Sequence, residues 1–446
     1  MKKGLFLAVI AAFAMICTVK AQEVEIPKYQ RSSLHMVLLT TDEPGLDGGR
    51  DFTAVLDQAW QGYPFPDKYN KHAISYTQGY GGKPKGTMME IINKYRNGFG
   101  NLSLAEAKEL METIKSSKTY EEDLVKAIQG LIDTEKIGNE LVRKWFNIQE
   151  DGSWDYDLIK ERAAYNASQA AIAEANAVSR GIQAIIDQGE DLIANTFVTF
   201  SKLSFYENEP VAAFSKNLAL FIASLTPAPA SNILTAAAET AYLATCKGYT
   251  AKTTTALYKL EWTEEVKAAF YEMFTADNKI DMAKFNAYAF PMSLVGIQTG
   301  SSATVDALAA IGMSKRTDEQ LINETIVRNI DKLFAKMQKI YEVFAPVSQI
   351  ISLDPLMADM GKKEGLEGGE KFELLEPVMN EETGKIDWKS IGIVKVDKKG
   401  LWDNRYSLVD EAEGEEESAE IKGTVLSANK KAALGMVVKQ VVKKKK

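Results

Sequence analysis

Histidine and cysteine are almost missing from this chain, with two of each in 446 residues. Cys17 lies in the N-terminal apolar stretch. Once that stretch is removed, Cys246 stands alone and no intramolecular disulfide can form, even in an oxidising compartment. Two isolated histidines, His35 and His72, do not make a zinc site, and no H-E-x-x-H is present. The G-x-S-x-G elbow of serine hydrolases is also missing. Residues 79–87 (GYGGKPKGT) are glycine-rich but lack the G-x-x-x-x-G-K-[ST] register, and Pro84 removes an N–H donor. The acids Asp42, Glu43, Asp47 and Asp51 lack EF-hand spacing and read as solvated turn residues. Glu121-Glu122 and Glu381-Glu382 sit in polar surroundings that would not raise a carboxyl pKa, so they read as surface charge. No catalytic residue, metal or cofactor is therefore expected. A basic excess is missing too. The formal charge is -8, which argues against a nucleic-acid partner. No apolar run is long enough to span a bilayer, and no solenoid repeat is present.

The N-terminus carries the most specific signal. Lys2 and Lys3 precede an apolar run over residues 5–16, and Val19-Lys20-Ala21 offers small residues for cleavage. This pattern predicts a signal peptide over residues 1–21, with Gln22 as the new N-terminus. Export to the periplasm, the outer membrane or the medium follows. Cleavage removes three lysines and takes the formal charge from -8 to -11. Cys17 offers a second reading, a lipid anchor, but bulky Ile16 stands where a lipoprotein signal wants a small residue.

Periodicity predicts an α+β body over residues 22–346. In SLHMVLL (33–39), Leu34, Met36 and Leu38 alternate with His35, Val37 and Leu39, as in a strand. A short helix over 52–60 and a strand over 73–78 complete a β-α-β unit. Ser103 and Glu106 form a capping box ahead of helical pattern to residue 146, and a second long helix is expected over 156–188. Strands are expected over 191–200 and 253–262. Thr263 caps the helix that follows, and Thr317 with Gln320 caps another, with Ile322, Ile326, Ile330, Leu333 and Met337 on one face. Short runs split by glycine turns over 347–408 predict a small all-β, barrel-like domain. Residues 409–446 hold seven acids between 410 and 420 and a lysine-rich end, and are expected to be a charged, disordered tail.

One segment stands out. Residues 218–246 contain a single charge, Glu239, inside an expected insertion over 211–248. Pro227 and Pro229 split it into halves too short to cross a membrane. It reads either as a helical hairpin buried against the sheet or another subunit, or as a membrane-contacting or self-associating insertion. The candidate residues for such contact are Leu218, Leu220, Phe221, Ile222, Leu225, Ile233, Leu234 and Leu243.

Several segments resemble an uncharacterised family of exported bacterial proteins: RSSLHMVLL, DLIANTFVTF, LYKLEW, GLEGGEKFELLE and WDNRY. The resemblance implies export and a shared fold, and it carries no activity. The order of strands and helices also resembles, more distantly, the periplasmic domain of curli-secretion-type outer-membrane lipoproteins. KKEGLEGGEKFELLE is similar to glycine-turn strand pairs in small cell-envelope β-domains. The function expected is a non-enzymatic envelope scaffold or binding protein, self-associating or membrane-contacting through the insertion. An exported hydrolase acting on envelope or host polymer, or a carrier of apolar ligands, is the alternative.

Overall fold

The computed structural model describes residues 32–41, 53–63, 69–70, 75–80, 94–100, 103, 105–106, 109, 121–160, 192–306, 316–380, 386–404 and 423–442. The body is built on a six-stranded mixed sheet. Strand β1 (Ser32–Thr41) lies beside β4 (Thr196–Glu207) on one edge. On its other edge it pairs with β2 (Tyr69–Asn70) and β3 (Ser75–Tyr80), all parallel. Helix α1 (Thr53–Gln61) makes the crossover. The sheet then extends antiparallel through β5 (Gly248–Leu260) and β6 (Met292–Val305).

Alternation along these strands sends apolar side chains to both faces. Leu34, Met36, Leu38, Phe197 and Leu257 pack with Trp60 of α1 and with α8 (Asp318–Ile340) through Ile322, Ile326, Ile330 and Met337. Val37, Leu39, Val198, Phe200 and Tyr258 pack with helices on the other face. Those helices are α2 (Glu121–Thr134), α3 (Ile137–Trp145), α6 (Glu264–Tyr271) and α7 (Met282–Ala287). The result is three layers, helices on both sides of a sheet. Aromatic rings fill the second interface, with Phe146 and Phe270 centroids 4.4 Å apart.

Local chemistry sets the helix starts. Thr317 accepts from the Gln320 N–H while the Gln320 side chain accepts from the Thr317 N–H, a full capping box at the head of α8. Thr263 caps α6 by accepting from Val266. Ser103 and Glu106 exchange the expected bonds. Asn329 of α8 donates to the Ala251 carbonyl of β5, which pins the helix across the sheet.

A second six-stranded sheet follows α8, in the order β10–β9–β12–β7–β8–β11. Its strands are β7 (Val347–Leu353), β8 (Leu356–Ala358), β9 (Lys371–Met379), β10 (Ile386–Lys395), β11 (Thr424–Val425) and β12 (Val437–Gln440). Every pairing in it is antiparallel. It curls around Phe372, Leu374, Val394 and Val438. Its outer edges meet at one isolated bridge, Val396 with Leu426, and the ladders do not close into a barrel.

Two further expectations are corrected. Residues 423–442 are not a solvated tail: β12 sits between β9 and β7, because Val437 and Val438 supply side chains for both faces of the sheet. The strand expected from residue 191 begins at Thr196, after a 3₁₀ turn over Leu192–Asn195. Strand β6 has no counterpart in the sequence reading. The helix expected over 156–188 falls mostly outside the described residues, as do His72, the acids at 42, 43, 47 and 51, Glu381-Glu382, and residues 81–87 of the glycine loop.

Candidate functional site

The insertion between β4 and β5 is a pair of helices. α4 (Asn208–Ser224) begins directly at the end of β4, and α5 (Ala230–Thr245) returns the chain to β5. Pro210 stands in the first turn of α4, where its missing N–H breaks no helical bond. Pro227 and Pro229 stop one helix and open the next.

The root is tightly held. Buried Asn208 donates to the Thr304 carbonyl of β6 at 3.2 Å and accepts from the Thr250 hydroxyl at 2.7 Å. Gly248 has φ +123°, and a Cβ there would lie 1.9 Å from the Thr304 oxygen, so only glycine allows β5 this approach to β6. On one flank, Phe214 and Phe221 meet the ring of Phe99 at 5.4 and 5.8 Å, and Asn217 donates to the Arg96 carbonyl at 2.6 Å. Between the helices, Lys216 pairs with Glu239 at 3.6 Å and lies 4.3 Å from the centre of the Tyr242 ring. Burial, then the nearby Glu209 carboxylate, pushes the Tyr242 hydroxyl pKa up.

Beyond that ion pair the hairpin is apolar and open. Of the candidate residues, Ile222 is 48% exposed, Leu225 54%, Ile233 68%, Leu234 38% and Leu243 57%. Leu218, Leu220 and Phe221 are half-buried. In α5 the one buried residue is Ala238. The insertion is therefore a helical hairpin, but among the described residues most of its apolar tip is not buried. The reason is topological: both faces of the sheet are already covered by helices, and the hairpin leaves from the sheet's end. Several of its hydroxyls are turned inward. Ser215, Thr226, Thr240 and Thr245 each donate to the carbonyl four residues back, at 2.7 to 2.9 Å.

The ion pair and the aromatic flank escaped the sequence reading. Glu239 was visible there as the sole charge, but Lys216 lies just outside the segment, and only folding sets the two side by side.

The other candidates stay apart. His35 is buried in β1, with the Ser33 Oγ 3.1 Å from its Nε2. Leu141, Lys144, Trp145 and Leu158 line the same crevice, which has no room for a water molecule. Burial holds the Lys144 ammonium pKa below its ordinary range. Cys246 is buried at the foot of the hairpin. Among the described residues no three His, Cys, Asp or Glu side chains gather to hold a metal. No family model matches this sequence, and no curated protein matches it.

Proposed function

We propose that this chain is a non-enzymatic, exported cell-envelope scaffold or binding protein. It works through its apolar hairpin, which self-associates or contacts a membrane. The observation that carries the reading is the exposure of Ile222, Leu225, Ile233 and Leu243 on a hairpin rooted firmly in the sheet. Soluble proteins rarely expose contiguous apolar surface of more than a few hundred Å² without a partner for it. The leader-like residues 1–21 and the segment likeness to exported bacterial proteins support export, and the likeness of KKEGLEGGEKFELLE to strand pairs of cell-envelope β-domains supports an envelope location.

Replacing residues 218–245 with a short Gly/Ser turn tests this. The shortened chain should lose either its higher-order species on gel filtration or its recovery in the membrane fraction of the native host. Its circular dichroism should keep the strand signal of both sheets. A folded variant unchanged in both size and fractionation would remove the proposal.

A further inference from the structure

We infer that the partner of the hairpin is a lipid leaflet, entered by the tip to the depth of the Lys216–Glu239 ion pair. The inference rests on the reading that the hairpin is the working surface.

Four observations select lipid over a second protein. The first is depth. No charge occurs over residues 217–238. The ion pair marks the same height on both helices, about nine residues from the tip along each. At 1.5 Å per residue that is roughly 14 Å, close to half the ~30 Å hydrocarbon core of a bilayer. Among the described residues no helix is long and apolar enough to cross a membrane, so entry into one leaflet is the geometry that fits.

The second is distribution. Exposed Ile222 lies on α4, Leu225 follows its last residue, and Ile233 and Leu234 lie on α5. Ile233 and Leu234 are adjacent, so they point about 100° apart around the helix. A protein partner covers one stripe, whereas acyl chains cover a tip from several sides. Asn232 is the amide on this tip. With Thr235 and Glu239 it recurs at i, i+3, i+7, a single polar line along α5.

Third, the hydroxyls of Ser224 and Thr226, which lie on the tip side of the ion pair, are already bonded to carbonyls of α4. They enter hydrocarbon without leaving an orphan donor. Fourth, the groups at the rim suit an interface. Lys216 lies against Tyr242, and the adjacent Asn217 holds the backbone of Arg96. Lysine and tyrosine are residues that settle at headgroup level.

The test uses protein purified from the exporting host after its native processing. It is mixed with vesicles of phosphatidylethanolamine and phosphatidylglycerol and recovered by flotation. The native chain should float. Ile233→Glu and Leu225→Glu, both at exposed positions, should lower recovery at least about tenfold, because a carboxylate must then enter hydrocarbon. Ala244→Glu, on the sheet side of the ion pair, should leave recovery unchanged. Equal loss in all three variants, or in none, overturns insertion to this depth. If the native chain stays with the aqueous phase but elutes as an oligomer that I233E dissociates, lipid is wrong and self-association stands. A monomer that ignores vesicles overturns both.

Discussion

Ending the chain after Leu434 should unfold the C-terminal sheet. Met436, Val437 and Val438 would be lost, and they are 7%, 1% and 0% exposed. At about 1.5–3 kcal/mol per buried side chain of this size, the missing burial amounts to roughly 5–9 kcal/mol. That is of the same order as the whole stability of a typical domain, about 5–15 kcal/mol. The pairing loss is as serious. β12 sets Val437 against Leu375 of β9 and against Gln349 of β7, so its removal leaves two strands facing each other across roughly 9–10 Å. That gap is too wide for either to satisfy the other's backbone. The assay is amide hydrogen exchange read by mass spectrometry over residues 347–353 and 371–379. A chain ending after Val442, which keeps β12 and drops the terminal lysines, is the control. The control should match the full chain, while the shorter chain should exchange freely in both segments and keep protection in β1, β4 and β5. Native protection of β7 and β9 in the shorter chain would refute the central placement of β12.

Two further perturbations probe the body. Asp331 of α8 is buried, and burial raises its carboxyl pKa against the opposing pull of Lys363 and the 2.6 Å bond from Tyr63. A raised carboxyl favours the folded state fully below the unfolded value of about 3.9, and that favour is lost as pH rises through the folded value. Asp331→Asn keeps an acceptor for Tyr63, so it should flatten the fall in stability on going from pH 4 to 7. Urea melts at several pH values would show it, and an unchanged slope would mean another group dominates. Gly248→Ala places a methyl where the Thr304 oxygen lies, in a left-handed conformation. It should cost on the order of 1–3 kcal/mol and appear as a lowered calorimetric melting temperature, with no change meaning that the strands do not approach so closely.

The elements that the sequence disclosed share one property: their signal is local. Leu34, Met36 and Leu38 went to one core and Val37 and Leu39 to the other, because strand alternation depends on nothing beyond the strand. The Thr263 and Thr317 caps needed only three or four residues to recognise. β6 failed because its Gly, Ser and Thr carry no alternation, and a bulge at Val295 resets its faces midway, with Leu257 opposite Gly296 but Tyr258 opposite Leu294. Its existence depends on β5, which offers a free edge. β12 failed for a different reason. Four residues of strand lie between an acidic run and terminal lysines, and the composition of the whole segment outweighed them.

The hairpin divides along the same line. Its limits, its break at Pro227 and Pro229 and its missing charges are local facts, and all eight candidate residues lie on it or at its turn. Its exposure is not local. A helix with a single charge and so many Ala, Leu and Ile residues ordinarily belongs in a core, and the composition of α5 alone would place it there. What keeps it out is the order in which the rest of the fold uses its surfaces. α1 and α8 cover one face of the sheet, and α2, α3, α6 and α7 cover the other. Asn208 and Gly248 then fix the hairpin's root against Thr304 at the sheet's end. An apolar hairpin that leaves a completed sandwich at its end finds no buried place among the described residues, and Ile222, Leu225 and Ile233 stay exposed.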